Sequence, residues 1–351
     1  YNNIGNAHNG KGNYDKAISS FEKALSIQLS VTGENHPDTA QIYNNIGIAY
    51  TYKGNYSKGL SYNEKAVAIQ LKVLGENHLD VARSYNNIGF AYFHKGDYDR
   101  AIFYYEKSLV IRLKVLGENH PNVLMNYNNI GATYNLNGKY DKAISYYEKA
   151  LSIQLNVLGM NHPDVARSYN NIGSVYHSKG DHDKAISYYE KALAIWLKVM
   201  GENHPYVALN YSNIGAVYGV LLRKCDKVIA YFEKALAIQR KVLGENHPDV
   251  ALSYNNIGAS YESAGNLDKG LSYFKRALET VKKTSSSQNT ILFATNLGRI
   301  SIQTKNYPLA ASSFEDAVSV IENAHTSMGA GKSELMARNI DVYYYLLETR
   351  P

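Results

Sequence analysis

Apolar and polar positions along this chain recur with the period of a helix, not of a strand. Around Tyr43 the apolar face is Tyr43, Ile46, Gly47 and Tyr50, the i, i+3, i+4, i+7 spacing of a single buried stripe. A second amphipathic run follows from about Tyr56 to Leu74, ending at Gly75-Glu76-Asn77. The whole arrangement then starts again. Tyr1, Tyr43, Tyr85, Tyr127, Tyr169 and Tyr211 stand 42 residues apart and open the same phrase. A seventh copy begins at Tyr254, one residue late, and a degraded eighth runs from about Ala294 to Ala324. A fixed period of this length is the signature of stacked structural units.

Each unit reads as two helices. Pro37, Pro121, Pro163, Pro205 and Pro248 suit a first helical position, and Asp38, Asp164 and Asp249 follow in the dipole-favoured first turn. Helix A then runs to Gly54, Gly96 or Gly180, where glycine suits a left-handed cap. In helix B, Ala143, Tyr147 and Ala150 repeat as Ala185, Tyr189 and Ala192, a large ring between two small residues. Burying each ring contributes roughly 1.5–3 kcal/mol. Asn63 replaces the ring in the second unit, which predicts a weak point there. Neither helix can bury its face alone, so the units must stack. The array spans 1–325, with units starting near 1, 43, 85, 127, 169, 211, 254 and 294, and a capping helix is expected over 333–349. Two departures interrupt the period. GVLLRKCDK between Tyr218 and Val228 predicts a longer helix A or a distorted turn and a change of superhelix pitch, and TSSSQNT after Lys283 replaces the usual connector.

These residues resemble the tetratricopeptide repeat: a large apolar residue and Gly in helix A, Tyr three residues on, then Gly, Ala, an aromatic and Ala. The 42-residue form, with YNNIG, KALAIQLKVLG and GENHPDVA, is similar to the repeats of kinesin light chains and related arrays, strongly over residues 1 to about 282. The resemblance implies an all-α, right-handed superhelical solenoid of antiparallel helix pairs, about eight repeats plus the C-terminal capping helix. It also implies a non-catalytic scaffold or adaptor that takes an extended peptide or a helix in its concave groove.

At roughly 100° per residue, Asn45 points some 150° away from the buried stripe and Asn44 somewhat over 100° away. Stacking would line the concave side with Asn45, Asn87, Asn129, Asn171, Asn213 and Asn256, beside a companion row of Asn44, Asn86, Asn128 and Asn170. An amide offers two donors and two acceptor lone pairs, suited to an extended peptide backbone of any sequence. The alternative is that the asparagines bond to one another between A helices and stiffen the stack, the reading favoured for the companion row. Arg83 and Arg167, at the start of two A helices, are positioned to receive carboxylates, and Phe90 and Phe93 to form an apolar pocket beside His94. The expected partner is therefore a protein or peptide with acidic and aromatic residues.

Composition narrows the remaining options. With 45% hydrophobic and 19% charged residues the chain has material for a core. A net charge of +6 over 351 residues is mild, and helix-B lysines such as Lys142, Lys149, Lys184 and Lys191 read as a solvated face, so nucleic acid is not the expected partner. No apolar run reaches the 18 or so residues of a membrane span. A lone Cys225 fits a reducing, cytoplasmic setting, and Tyr1 falls inside a unit, as in a segment of a longer protein. The connector histidines His36, His78, His120, His162, His204 and His247 are one per unit, too far apart to share a metal, and read as loop-closing residues. Gly331-Lys332-Ser333 lacks the earlier glycine of a phosphate loop. No cofactor, metal or catalytic constellation is expected. The competing reading is a structural or regulatory arm that controls a catalytic domain elsewhere or self-associates, through the groove or through the C-terminal helix and its Tyr343–Leu347 stretch.

Overall fold

The computed structural model describes residues 1–221, 225–284 and 287–327. The 333–349 segment, its Tyr343–Leu347 stretch and the turn at 222–224 lie outside the described residues. Two compact units are present, Tyr1–Met160 and Asn161–Pro351. The first contains α1 (Asn2–Gly10), α2 (Tyr14–Thr32), α3 (Pro37–Tyr52), α4 (Tyr56–Leu74), α5 (Leu79–Lys95), α6 (Tyr98–Leu116), α7 (Pro121–Leu136) and α8 (Tyr140–Leu158). In the second are α9 (Pro163–Lys179), α10 (His182–Met200), α11 (Pro205–Val220), α12 (Cys225–Leu243), α13 (Pro248–Ser263), α14 (Leu267–Lys282), α15 (Ser287–Gln303) and α16 (Tyr307–Ser327). Within each unit every helix packs on its neighbours in the chain, and α3 also touches α5 as α13 touches α15. The described residues contain no strand.

One contact organises every repeat. The helix-B ring is driven against the helix-A glycine: Tyr105 on Gly89 and Tyr147 on Gly131 in the first unit, Tyr189 on Gly173 and Phe274 on Gly258 in the second. A Cβ on Gly89 would lie 2.8 Å from the Tyr105 ring and 3.1 Å from the Ala101 carbonyl. Glycine is therefore needed for the helices to approach. Beside it the isoleucines Ile46, Ile88 and Ile130 are wholly buried, as are Ile172, Ile214, Ile257 and Ile300. In the second repeat Asn63 occupies the ring's place, fully buried, with neither its Nδ2 nor its Oδ1 hydrogen-bonded.

Helix ends are closed by side chains. His36, His78, His120, His162, His204 and His247 are all N-caps, each accepting at Nδ1, at 3.1–3.2 Å, from the backbone N–H two residues on. This is the physical role behind the connector histidines. Because Nδ1 accepts, it cannot also donate to the neighbouring carboxylate, such as Asp38, 3.6 Å away. At the other end, Gly96 and Gly180 take left-handed conformations with φ of 83° and 86°. Helix α11 stops at Val220 and is the same 16 residues long as α7, so the interruption near Cys225 does not lengthen helix A.

The helix-B lysines are more than a solvated face. In each complete repeat two tyrosines stack, as Tyr134 on Tyr146 at 5.6 Å and Tyr176 on Tyr188 at 5.4 Å. Lys142 lies over Tyr134, and Lys149 over Tyr146. In the second unit Lys184 covers Tyr176 and Lys191 covers Tyr188. Such cation–π contacts add about 0.5–1 kcal/mol each when exposed. Tyr146 also donates its hydroxyl to Glu106 of the preceding helix B at 3.0 Å, tying repeat to repeat.

Candidate functional site

The two asparagine rows bond to each other across adjacent A helices. Asn45 donates from Nδ2 to Asn2 Oδ1 at 2.9 Å, and Asn129 to Asn86 Oδ1 at 3.3 Å. Asn213 donates to Asn170 and Asn296 to Asn255, both at 2.9 Å. The stiffening bonds expected of the companion row thus take in residues of both rows. One amide hydrogen fixes the side chain, while Asn45, Asn129 and Asn213 remain only half-buried. Their Oδ1 atoms accept no hydrogen bond among the described residues.

Asn87 departs from this pattern, and the cause lies one residue before the repeat's opening tyrosine. Ser84 Oγ accepts from Asn44 Nδ2 at 2.6 Å and donates to Gln70 Oε1 at 2.5 Å. Asn44 is therefore drawn into the core, with 2% of its surface exposed, and is lost to Asn87. Asn87 Nδ2 and Asn44 Oδ1 are both left buried without a partner. Where the equivalent residue is Asn126, it is engaged elsewhere, donating to the Tyr105 carbonyl at 2.9 Å, and Asn86 stays available to Asn129. Asn128 is half-buried with its Oδ1 unpartnered, and Asn171 is half-buried.

Phe90 and Phe93 do meet His94, with ring centroids at 4.3 and 5.3 Å. Partial burial against these rings pushes the His94 imidazole below its usual range, although the residue stays exposed at the surface. The cluster is larger than the sequence suggested. Tyr52, half exposed, sets its edge against Phe90 at 5.4 Å and stacks on Tyr14 at 5.7 Å. These rings form a shelf from repeat to repeat beside the amides. The arginines are less free than expected: Arg83 is paired with Asp80 and Arg167 with Asp164, each at 2.9 Å.

In the second unit Asn256 stands between two hollows. One, of about 340 Å³, is lined by Ala216, Val220, Phe232 and Ala259; the other, of about 170 Å³, by Leu209, Val242 and Leu252. The sequence offered one further signal that a local reading passes over. Helix-B and helix-A polar residues 14 apart bond between repeats, as in Gln70–Ser84, Arg112–Asn126 and Gln239–Ser253. Among the described residues no three His, Cys, Asp or Glu side chains gather as a metal site, and no helix is long and apolar enough to cross a membrane.

Antiparallel helix pairs, most of them locked by a glycine–ring contact and several linked by amides to the next, define an all-α helix-pair repeat protein. The tetratricopeptide repeat model matches residues 1–72, 48–114, 80–156, 122–198, 164–241, 220–283 and 249–323. The chain belongs to the tetratricopeptide repeat family, whose arrays are generally non-catalytic scaffolds for protein interaction. Among solved structures it is similar to BtubC (BKLC) from P. vanneervenii, at 23% identity over 65% of this chain and 91% of that one, TM-score 0.55. It is also similar to a putative kinesin light chain from Podosopora anserina, at 24% over 59% and 97%, TM-score 0.53. A signal transduction ATPase with a tetratricopeptide repeat sensor from Pyrococcus horikoshii matches at 21% over 80% of this chain and 41% of that one, TM-score 0.62. At these identities the likeness is one of fold. No curated protein matches the chain.

Proposed function

We propose that the A-helix face of the first unit holds an extended peptide of a partner protein, and that the chain is an adaptor and not an enzyme. The observation that carries this reading is the state of Asn45 and Asn129. Each amide is oriented by one bond to the preceding A helix and keeps its acceptor for a ligand. A group held in place before binding loses little entropy on binding, which is how a row of single hydrogen bonds becomes useful affinity. The Tyr52–Phe90–His94 shelf beside it supplies apolar area and favours a partner with an aromatic residue. Arg83 and Arg167 support the reading little, since each already has a carboxylate.

The test is selection of peptides from a random display library on the full chain, followed by fluorescence anisotropy with the selected peptide. Replacing both Asn45 and Asn129 by Ala should weaken binding roughly tenfold or more, about one net hydrogen bond each. Phe90→Ala should weaken it comparably while helicity is unchanged. Selected peptides that bind all variants equally would overturn the proposal.

A further inference from the structure

The interface between the third and fourth repeats buries a cation that this chain does not neutralise. Arg112 on α6 is only 5% exposed. Its Nη1 donates to the Asn126 side chain and, at 3.0 Å, to the Asn122 carbonyl in the first turn of α7. Among the described residues no carboxylate pairs with it. Burial, and after it the charge of another guanidinium, Arg83, lower the Arg112 pKa to about 10. Arg112 is therefore still charged at neutral pH. Removing a guanidinium from water without a counter-charge is strongly unfavourable.

Comparison with the other repeats shows how the imbalance arises. At the position of Arg112 they carry Gln28, Gln70, Gln154, Trp196 and Gln239, all neutral. At the position of Asn122 most carry an acid: Asp38, Asp80, Asp164 and Asp249. The third-to-fourth junction thus gains a positive charge on α6 and lacks an acid in the first turn of α7, where Arg112 bonds the Asn122 main-chain carbonyl. Asn126 is fixed by its bond to the Tyr105 carbonyl, so the guanidinium is held with its Nη1 edge occupied. The Nε and Nη2 edge has no partner among the described residues, and neither atom is sealed from solvent without one. A planar fork with one edge anchored and the other unpartnered is the geometry that takes a carboxylate or phosphate by two parallel bonds.

We propose that Arg112, near the Arg83–Asp80 pair, is an oxyanion site that receives a carboxylate or phosphate group from outside this chain. The site uses none of the row's amides and needs no peptide in the groove. An acidic side chain of a partner and free phosphate share the required chemistry.

The experiment uses the full chain labelled with 15N-arginine. The Arg112 Nε–H signal is followed during titration with inorganic phosphate and, separately, with N-acetylglutamate amide, at constant ionic strength set with chloride. The expected result is a saturable shift with at least one probe. Saturation with both marks a site open to a partner's carboxylate, and saturation with phosphate alone marks a phosphate site. Arg112→Gln restores the residue of the other repeats and should fold; Asn122→Asp supplies the missing carboxylate while leaving Arg112 in place. Thermal stabilisation by the probe over chloride should vanish in Arg112→Gln, and the Arg112 shift should weaken roughly tenfold or more in Asn122→Asp. Linear, unsaturating shifts, or equal stabilisation of both variants and the parent, would overturn the proposal.

Discussion

Asn63 offers the sharpest test of how the repeats are held together. Its amide fills the place taken elsewhere by Phe21, Tyr105, Tyr147, Tyr189, Phe232, Phe274 and Phe314, and its two polar atoms are buried unsatisfied. Each orphaned group costs about 1–3 kcal/mol. Leucine has the same branching at Cγ, with methyls where the amide has O and N, so Asn63→Leu removes both penalties without reshaping the slot. The amide already packs hard on Gly47, where Oδ1 lies 2.3 Å from the place of a Cβ. The larger methyls therefore crowd that glycine, at a cost of about 1 kcal/mol. The net expectation is stabilisation of the second repeat by about 2 kcal/mol, or roughly thirtyfold in protection from exchange. Because repeat arrays need not unfold in one step, the assay is hydrogen exchange resolved by helix. Amides of α3 and α4 should slow while those of α13 and α14 do not change. Unchanged or faster exchange in α3 and α4 would show that Asn63 is satisfied or that the slot cannot take methyls.

Three further outcomes are expected. His247→Ala should destabilise α13 by about 1 kcal/mol while His247→Asn largely preserves it, because asparagine also caps; urea titration monitored by circular dichroism reads the difference. Ser84→Ala should free Asn44 to accept from Asn87, visible as slowed exchange or a shifted signal of the Asn87 side-chain amide, whereas an unmoved signal would refute the Ser84 argument. Raising the pH should weaken the fold through its buried tyrosines. Burial lifts Tyr189, and burial with the bond to Glu245 lifts Tyr254, from the usual 10.0 to about 12. Their contribution is complete below pH 10.0 and is lost as pH rises toward 12, which tyrosinate absorbance and helicity should report together.

Much of the architecture was legible in the chain alone. A period of 42 carries the buried stripe of helix A and the ring of helix B, so Tyr56–Leu74 was readable as a helix and Gly47 as a buried position, while the meeting of glycine and ring came from the packing. Prolines and glycines marked the turns because their backbone preferences are local. The site was legible only in outline. The asparagine rows and the Phe90–Phe93–His94 group could be named, but Tyr52 could not be joined to them, because it comes from the preceding repeat.

What the sequence determined by itself was thus the set of helices and the stripe each must bury, since both follow from spacing along one backbone. Which hydrogen bond each amide makes was decided only in three dimensions. Asn45 and Asn87 occupy the same place in the period, yet one is oriented at a half-buried face and the other is buried and unpaired. Ser84, brought within 2.6 Å of Asn44 by the packing of successive repeats, makes the difference. Arg112 is likewise unremarkable as a sequence position. It becomes a buried, uncompensated charge only because stacking sets it against Asn122 and Asn126. Competition among polar groups for a few partners is settled by distances between repeats, and no local pattern contains those.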